Sequence, residues 1–331
     1  MAAIFIAGGY GIVGSNIARH VRKINKEIEI IIAGRNPDKG AALAKELGNA
    51  RTVYLDLDKS IESYDWGQID LIVAALQDPA DALIDVALAL GIAHIGITKL
   101  ADELTPFLFS ALRTPPSRPI VPLGHSQSGV MTLLALKAAE AFSRIDSIEL
   151  AGLYDDQEQM GPMTVGDAEG FIGRALLRQN GNWIWVNANQ HPRKVRLSDG
   201  SCLEGLPMGL LDVPSLAAAT HAPNIRFDFI QGESIGTKTG GQASQDLYIE
   251  IEGILKSGLP GKQRTIVSDP KGQAHLTALG VLVVIEHILG LDGKQTARRA
   301  VYLPETLVST DAAIARFEQF GVQISSELNE N

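Results

Sequence analysis

The sequence predicts an α/β chain in two parts: a doubly wound parallel sheet, then an α+β region whose sheet is largely antiparallel. Three observations carry that prediction. A short apolar run over residues 3–7 leads straight into Gly8-Gly9-Tyr10-Gly11-Ile12-Val13-Gly14, then into helical spacing at Val13, Ile17, Ala18, Val21 and Ile24. Strand-like and helix-like segments alternate to about Leu123, as βαβ units do. From about Ser147 the apolar period becomes two, the pattern of a sheet with one face on a core.

The elements follow in order. The first strand (3–7) meets the glycine turn, and a helix runs to about residue 24. Residues 27–33 read as the second strand, apolar at its end as a sheet covered on both faces requires. Gly34-Arg35-Asn36-Pro37 ends it, with Asn36 placed as a helix N-cap and Pro37 in the first turn. That helix reaches about Leu47, and Gly48 ends it. Residues 52–55 are the third strand, followed by Asp56, and 70–75 are the fourth, ending on Ala75. Asp78-Pro79 opens a helix to about residue 89. A strand (93–97), a helix (103–112) and a strand (119–123) complete the first region. An apolar helix is expected over 130–142, then strands near 148–154, 183–186, 194–197, 225–229, 247–251 and 264–267. The apolar helix from Ala274 is expected to return the chain to the first domain, and residues 310–320 form a last helix closed by Gly321. The expected boundaries are 1–125, completed by 272–331, for the first domain and 126–271 for the second.

The 331 residues are 45% hydrophobic and 20% charged, an ordinary globular composition. A net charge of −9 argues against a nucleic-acid partner and against an anionic membrane surface, and leaves room for a small anion on local cations. Cys202 is the only cysteine, so no intrachain disulfide or cysteine-zinc cluster is expected. That, and the lack of a leader pattern before the first strand, fits a cytoplasmic setting. The longest apolar stretch, 274–291, contains His275, Glu286 and His287 and reads as a buried helix rather than a membrane span. The seven histidines show no ligand spacing, so no metal is expected.

Gly9, Gly11 and Gly14 satisfy G-x-G-x-x-G in the strand-turn-helix setting that dinucleotide binding requires, which makes the first region a candidate Rossmann domain. The candidate cradle is Gly9, Tyr10, Gly11, Ile12, Val13 and Gly14. Gly8, Gly11 and Gly14 offer a second register, that of short-chain dehydrogenase types. No tyrosine has a lysine four residues on, so their Tyr-Lys chemistry is disfavoured. An NAD site carries Asp or Glu at the end of the second strand, where this chain has Arg35, flanked by Asn36. A carboxylate repels a 2′-phosphate and a guanidinium binds it, so the expected cofactor is NADP(H), and FAD is disfavoured. Asp56 ends the third strand and Ala75 the fourth, and both are candidate cofactor contacts. Asp56 either meets an adenine amino group or caps its own turn. Lys99, past the fifth strand, and His125, in Gly124-His125-Ser126, are the candidate proton carriers. Against those roles, His125 packs and Ser126 or Ser128 caps the next helix. The loop 232–245, rich in Gly and Thr, lines a pocket or is a plain hairpin loop.

With the glycine turn, Ala33-Gly34-Arg35-Asn36, Gly124-His125-Ser126 and Gly272-Gln273-Ala274-His275-Leu276-Thr277-Ala278 in view, the chain resembles the saccharopine dehydrogenase-like family of NADP-dependent oxidoreductases. The match is best over the N-terminal third and from about Gly272 to Gly321. The resemblance implies reduction of an imine formed from an amine and a carbonyl compound, or the reverse oxidation. It implies that Gly9, Gly11, Gly14 and Arg35 hold the cofactor and that the second domain presents the substrate. It assigns no catalytic residue. A protonated imine needs little acid help, so positioning supplies most of the catalysis. Lys99, Arg174, Arg226 and Lys238 are the cations available for substrate carboxylates. The alternatives are a carbonyl or other small-molecule reductase with the same cofactor, and a non-enzymatic NADP(H)-sensing protein. The expected partners are a small-molecule substrate and a second copy, joined through the mixed faces of the second domain's sheet.

Overall fold

Parallel strands buried on both faces need nearly unbroken apolar sequence, and the first sheet has it except at its edge strand Ala50–Tyr54, which is half-exposed. The computed structural model describes residues 2–59, 61, 64–99, 101, 103–158, 173–293 and 299–330. The first sheet is all parallel: β1 (Ala3–Ala7), β2 (Glu29–Gly34), β3 (Ala50–Tyr54), β4 (Leu71–Ala74), β5 (Ala93–Gly96) and β6 (Ile120–Pro122). Their order is β3-β2-β1-β4-β5-β6, which reverses direction between β1 and β4. Ile4, Phe5, Ile6, Ile30, Ile32, Leu71, Ile72 and Val73 are fully buried. One face carries Phe5, Ile31 and Ile72 against Leu83, Ala87, Phe107 and Trp66. Phe5 meets Tyr64 and Trp66 at ring-centroid distances of 5.3 and 5.0 Å. The outer edge of β6 is closed by Ala300 and Tyr302, which bond to Ile120 at 3.1 and 2.9 Å.

The second sheet has nine strands: β7 (Phe142–Tyr154), β8 (Arg174–Gln179), β9 (Asn182–Asn187), β10 (Arg193–Arg196), β11 (Cys202–Pro207), β12 (Ile225–Gln231), β13 (Gln245–Leu255), β14 (Pro260–Asp269) and β15 (Gln323–Glu330). The path is β10-β11-β12-β7-β13-β14-β15, with the β8–β9 hairpin hung on β12. The β7–β12 pair is parallel and the other pairs are antiparallel. Helices Val130–Ala139 and Asp212–Thr220 pack on β7, β12 and β13. Away from Leu247, Ile249 and Ile251, Tyr248 joins Ala151, Leu153, Val195, Leu197 and Ile230 in a small second core. Beside it Asp228 is fully buried, clamped by Arg193 and Arg226.

The chain divides into two units: Met1–Gly124 with Ala278–Val308, and His125–Thr277 with Ser309–Asn331. Helix Gln273–Ile288 starts in the second and continues into the first, buried on nearly all sides as its composition requires. No helix among the described residues is long and apolar enough to cross a membrane.

Some expectations need correction. The tail 309–331, assigned above to the first domain, lies with the second unit, because β15 pairs with β14. Asn36 makes no side-chain cap. A 3₁₀ turn, Pro37–Gly40, precedes helix Ala41–Leu47. Asp78 does not open the next helix directly; its carboxylate receives Ala82 N and Leu83 N, at 2.9 and 2.8 Å, where helix Ala82–Leu90 begins. The sequence reading omitted β8, β11, β15 and helix Asp212–Thr220.

Candidate functional site

β1 ends where the strand order reverses, the position at which open α/β sheets bind ligands. The chain must turn there within four residues to begin helix Ile12–Ile24. Gly8 makes the turn at φ +76°, where a Cβ would also lie 2.6 Å from the Ala75 carbonyl oxygen. Gly8 N and Gly9 N both donate to Ala33 O, at 2.9 and 3.2 Å, pinning the turn to β2. A Cβ on Gly14 would come 2.3 Å from Gly8 O, so helix and turn touch there. Gly11 differs. It is exposed, and a Cβ on it would meet a single atom, Gly8 O at 3.1 Å. It caps the helix with no side-chain bond, and the first turn holds no acid. The leading N–H groups and the helix dipole therefore form an anion receptor beside an open glycine, which is what a dinucleotide pyrophosphate needs.

Tyr10 folds back over the end of β2. A Cβ on Gly34 would lie 2.5 Å from the Tyr10 ring, and one on Gly40 3.4 Å from it. The Tyr10 hydroxyl accepts a hydrogen bond from Asn36 N at 2.9 Å. The glycine turn is thereby clasped to the segment that carries Arg35. Arg35 itself is exposed, and among the described residues it has no hydrogen-bond or ion-pair partner. Asp56 turns to its own loop: Tyr54 Oη donates to it at 3.0 Å, Asp58 N at 3.3 Å, and Lys59 lies at 3.3 Å. The Tyr54 hydroxyl, with help from Lys59, holds its carboxyl below the usual range. Ala75 N donates to Ala7 O at 2.9 Å, fixing the floor of the turn.

Lys99 lies at the carboxyl edge of β5, buried, with Nζ 3.0 Å from Asp78 O and 2.6 Å from Asp81 Oδ1. Asp81 reaches it from a left-handed backbone, φ 57°. On β5 itself, His94 is buried with Nε2 unbonded. Burial, with the Lys99 charge adding, pushes its pKa down to about 3.

In the second unit, His125 is buried, and burial lowers its pKa to about 3, so it is neutral at physiological pH. Its Nε2 is 2.8 Å from Ser215 Oγ, and Nδ1 has no hydrogen-bond partner. One helix turn away, Asp212 receives Ser126 N at 2.6 Å and Thr132 Oγ1 at 2.7 Å. Between these anchors Gln127 and Ser128 are left-handed, φ 49° and 52°, a strain that surrounding contacts must hold. The loop 232–245 is tied down rather than loose. Asp155 receives Ser234 N and Thr237 Oγ1, and Asp246 receives Ile235 N, Ser244 Oγ and Ser268 Oγ. Close by, Glu158 accepts from Gln273 N at the start of the helix Gln273–Ile288, and its Oε2 is buried without a partner. Burial first, then Asp155, Asp269 and Asp246, push its pKa up to about 7.

The structure thus gathers Gly9, Tyr10, Gly11, Ile12, Val13, Gly14, Arg35, Asn36 and Ala75 around one edge of the first sheet. The four cations expected to receive substrate carboxylates all carry partners: Lys99 has Asp81, Arg226 has Asp228 and Lys238 has Asp199, while Arg174 stacks on Trp185 at 4.1 Å. Sequence reasoning missed Asp81, Asp212 and Ser215. Spacing could not have found them, because each acts on a residue far along the chain or through an unusual φ.

No family model and no curated protein matches the sequence. The structure does match solved ones. It aligns with apo saccharopine dehydrogenase (L-Glu forming) from Saccharomyces cerevisiae at TM-score 0.69 and 11% identity, covering 99% of this chain and 100% of that one. It also aligns with a homospermidine synthase from Legionella pneumophila, solved in complex with NAD, at TM-score 0.68 and 9% identity, over 99% of this chain and 91% of that one. At such identities the likeness is one of fold, and the chain has the saccharopine dehydrogenase-like, two-domain Rossmann fold.

Proposed function

We propose that this protein is an NADP(H)-dependent oxidoreductase that moves a hydride to or from the C–N bond of an amino-acid-like substrate. The observation that carries the cofactor half is the glycine turn clasped through Tyr10 to Arg35, which has no hydrogen-bond or ion-pair partner among the described residues. The turn offers N–H donors to a pyrophosphate, and Arg35 offers a bidentate charge to a 2′-phosphate. When bound, the nicotinamide supplies or accepts the hydride. The C–N half is supported by the family resemblance and by the fold shared with saccharopine dehydrogenase. Lys99 is the proposed proton carrier of the first unit, released when its pair with Asp81 opens. His125 is that of the second, neutral and oriented by Ser215.

Calorimetric titration with NADPH and NADH at one salt concentration tests the cofactor. Tight NADPH and weak NADH binding is expected, and binding of neither removes the reading. NADPH oxidation in the presence of amines paired with keto acids tests the chemistry. A second reading, NADP(H) binding without turnover, is favoured by one observation: both candidate proton carriers are buried and already engaged. Binding with no consumption across that panel would establish it.

A further inference from the structure

A β-sheet edge presents unpaired N–H and C=O groups, and proteins protect such edges or use them. The second sheet has three edge strands among the described residues: β9, β10 and β15. β10 is four residues long and carries Arg193, Lys194 and Arg196, the short and basic form of a protected edge. The outward Trp183 and Trp185 of β9 are covered by Arg178 and Arg174, stacked at 4.7 and 4.1 Å. β15 is longer, and its charges are the two carboxylates Glu327 and Glu330. It pairs with β14 without a register break from Gln323 to Glu330, and it contains no proline, glycine, lysine or arginine. Seven of its eight residues are exposed, Leu328 among them at 49%.

We propose that β15 is a dimerisation edge, at which two copies of this chain pair antiparallel about a two-fold axis through Ser326. The side chains select that register. With the axis perpendicular to the sheet, directly opposed residues share a face. An axis at Ser326 sets Ile324 opposite the partner's Leu328, on the face that β15 shares with Val267 and Thr265. It sets Ser325 opposite the partner's Glu327 and Gln323 opposite the partner's Asn329. An apolar pair, repeated by symmetry, flanks a serine pair, and no like charges oppose each other, the combination that favours cross-strand pairing. Moving the axis to Glu327 sets that carboxylate against its own copy. Moving it to Ser325 separates Ile324 from Leu328 and leaves Leu328, Asn329 and Glu330 without partners within β15, against Glu330 alone for the axis at Ser326. The seven residues that pair make a seam roughly 23 Å long at about 3.3 Å per residue. A seam of that size is at the small end of specific interfaces, so dissociation on the order of micromolar is expected. The inference is independent of the cofactor reading, because every residue in it lies on the second sheet.

Cysteine placement tests the register directly. Because Cys202 is the only native cysteine and is exposed, each variant also carries Cys202→Ser. Ser326→Cys puts two thiols opposite each other at Cα separations of about 4.5–5.5 Å, within disulfide range. Mild oxidation should give a covalent dimer in at least tenfold higher yield than with Ser325→Cys, whose counterpart lies two residues away. Equal yields, or none from Ser326→Cys, would overturn the proposal. Sedimentation of the wild-type chain at tens of micromolar should give about twice the 35.4 kDa monomer mass. Ile324→Lys with Leu328→Lys should give monomers, and Ile324→Lys with Leu328→Glu should restore the dimer. A wild-type monomer at 100 µM, or a dimer indifferent to both double variants, would equally sink it.

Discussion

A guanidinium with no partner of its own stays hydrated until an anion displaces the water. Arg35 is in that state, and Tyr10 holds the backbone beside it. Replacing the charge with its opposite should therefore discriminate between cofactors. Arg35→Asp is expected to weaken NADPH binding on the order of 100-fold and NADH binding by less than about threefold. Equal losses by calorimetry would take Arg35 out of the phosphate site. The glycines make a second contrast. Gly14→Ala forces a Cβ into Gly8 O and should cost roughly 1–3 kcal/mol of stability. Gly11→Val should perturb urea unfolding less than Gly14→Ala while abolishing dinucleotide binding, since its Cβ would meet a single atom, Gly8 O at 3.1 Å. If Gly11→Val destabilised the fold as much as Gly14→Ala, the division into packing and binding glycines would fail. These residues were legible because their chemistry is local: a turn, a spacing, a missing carboxylate. The Tyr10 clasp was not, because it joins residues 26 apart and depends on β1 and β2 being in register.

At the scale of elements, the start of the helix Gln273–Ile288 carries a pH dependence. Glu158 has a folded pKa raised from its usual value to about 7, so the folded state holds that proton more tightly than the unfolded chain. The folded state is unpenalised below about pH 4.5, loses stability as pH rises towards 7, and loses no more above it. Glu158→Gln keeps an acceptor for Gln273 N and removes the charge. It should stabilise the protein by up to about 3 kcal/mol at pH 8 and leave it unchanged at pH 4. An identical effect at both pH values would show that Glu158 does not titrate in this range. The elements the sequence hid share a physical reason. β15 is exposed on both faces and has no apolar period to read. Helix Asp212–Thr220 buries Val213, Leu216 and Ala217 at helical spacing, but it spans only nine residues and carries Pro214 in its first turn, which hides so short a pattern. By contrast the first sheet was read strand by strand, since burial on both faces writes itself into composition.

At the scale of the whole molecule, neither unit is one continuous stretch of chain. A fragment ending at Gly124 keeps the glycine turn and all six strands of the first sheet, yet lacks Ala278–Val308 and the bonds that close the edge of β6. It should lack a cooperative urea transition, and a sharp one would show the first sheet to be self-sufficient. The same threading has a consequence for biosynthesis. The segment Met1–Gly124 precedes the second unit, but its companion Ala278–Val308 leaves the ribosome only after the roughly 150 residues of His125–Thr277, about 8–30 s later at ordinary elongation rates. Over that interval the edge of β6 lacks the backbone bonds that Ala300 and Tyr302 supply to Ile120. Synonymous codons that slow translation within His125–Thr277 should lower the yield of native protein more than the same codons placed after Val308.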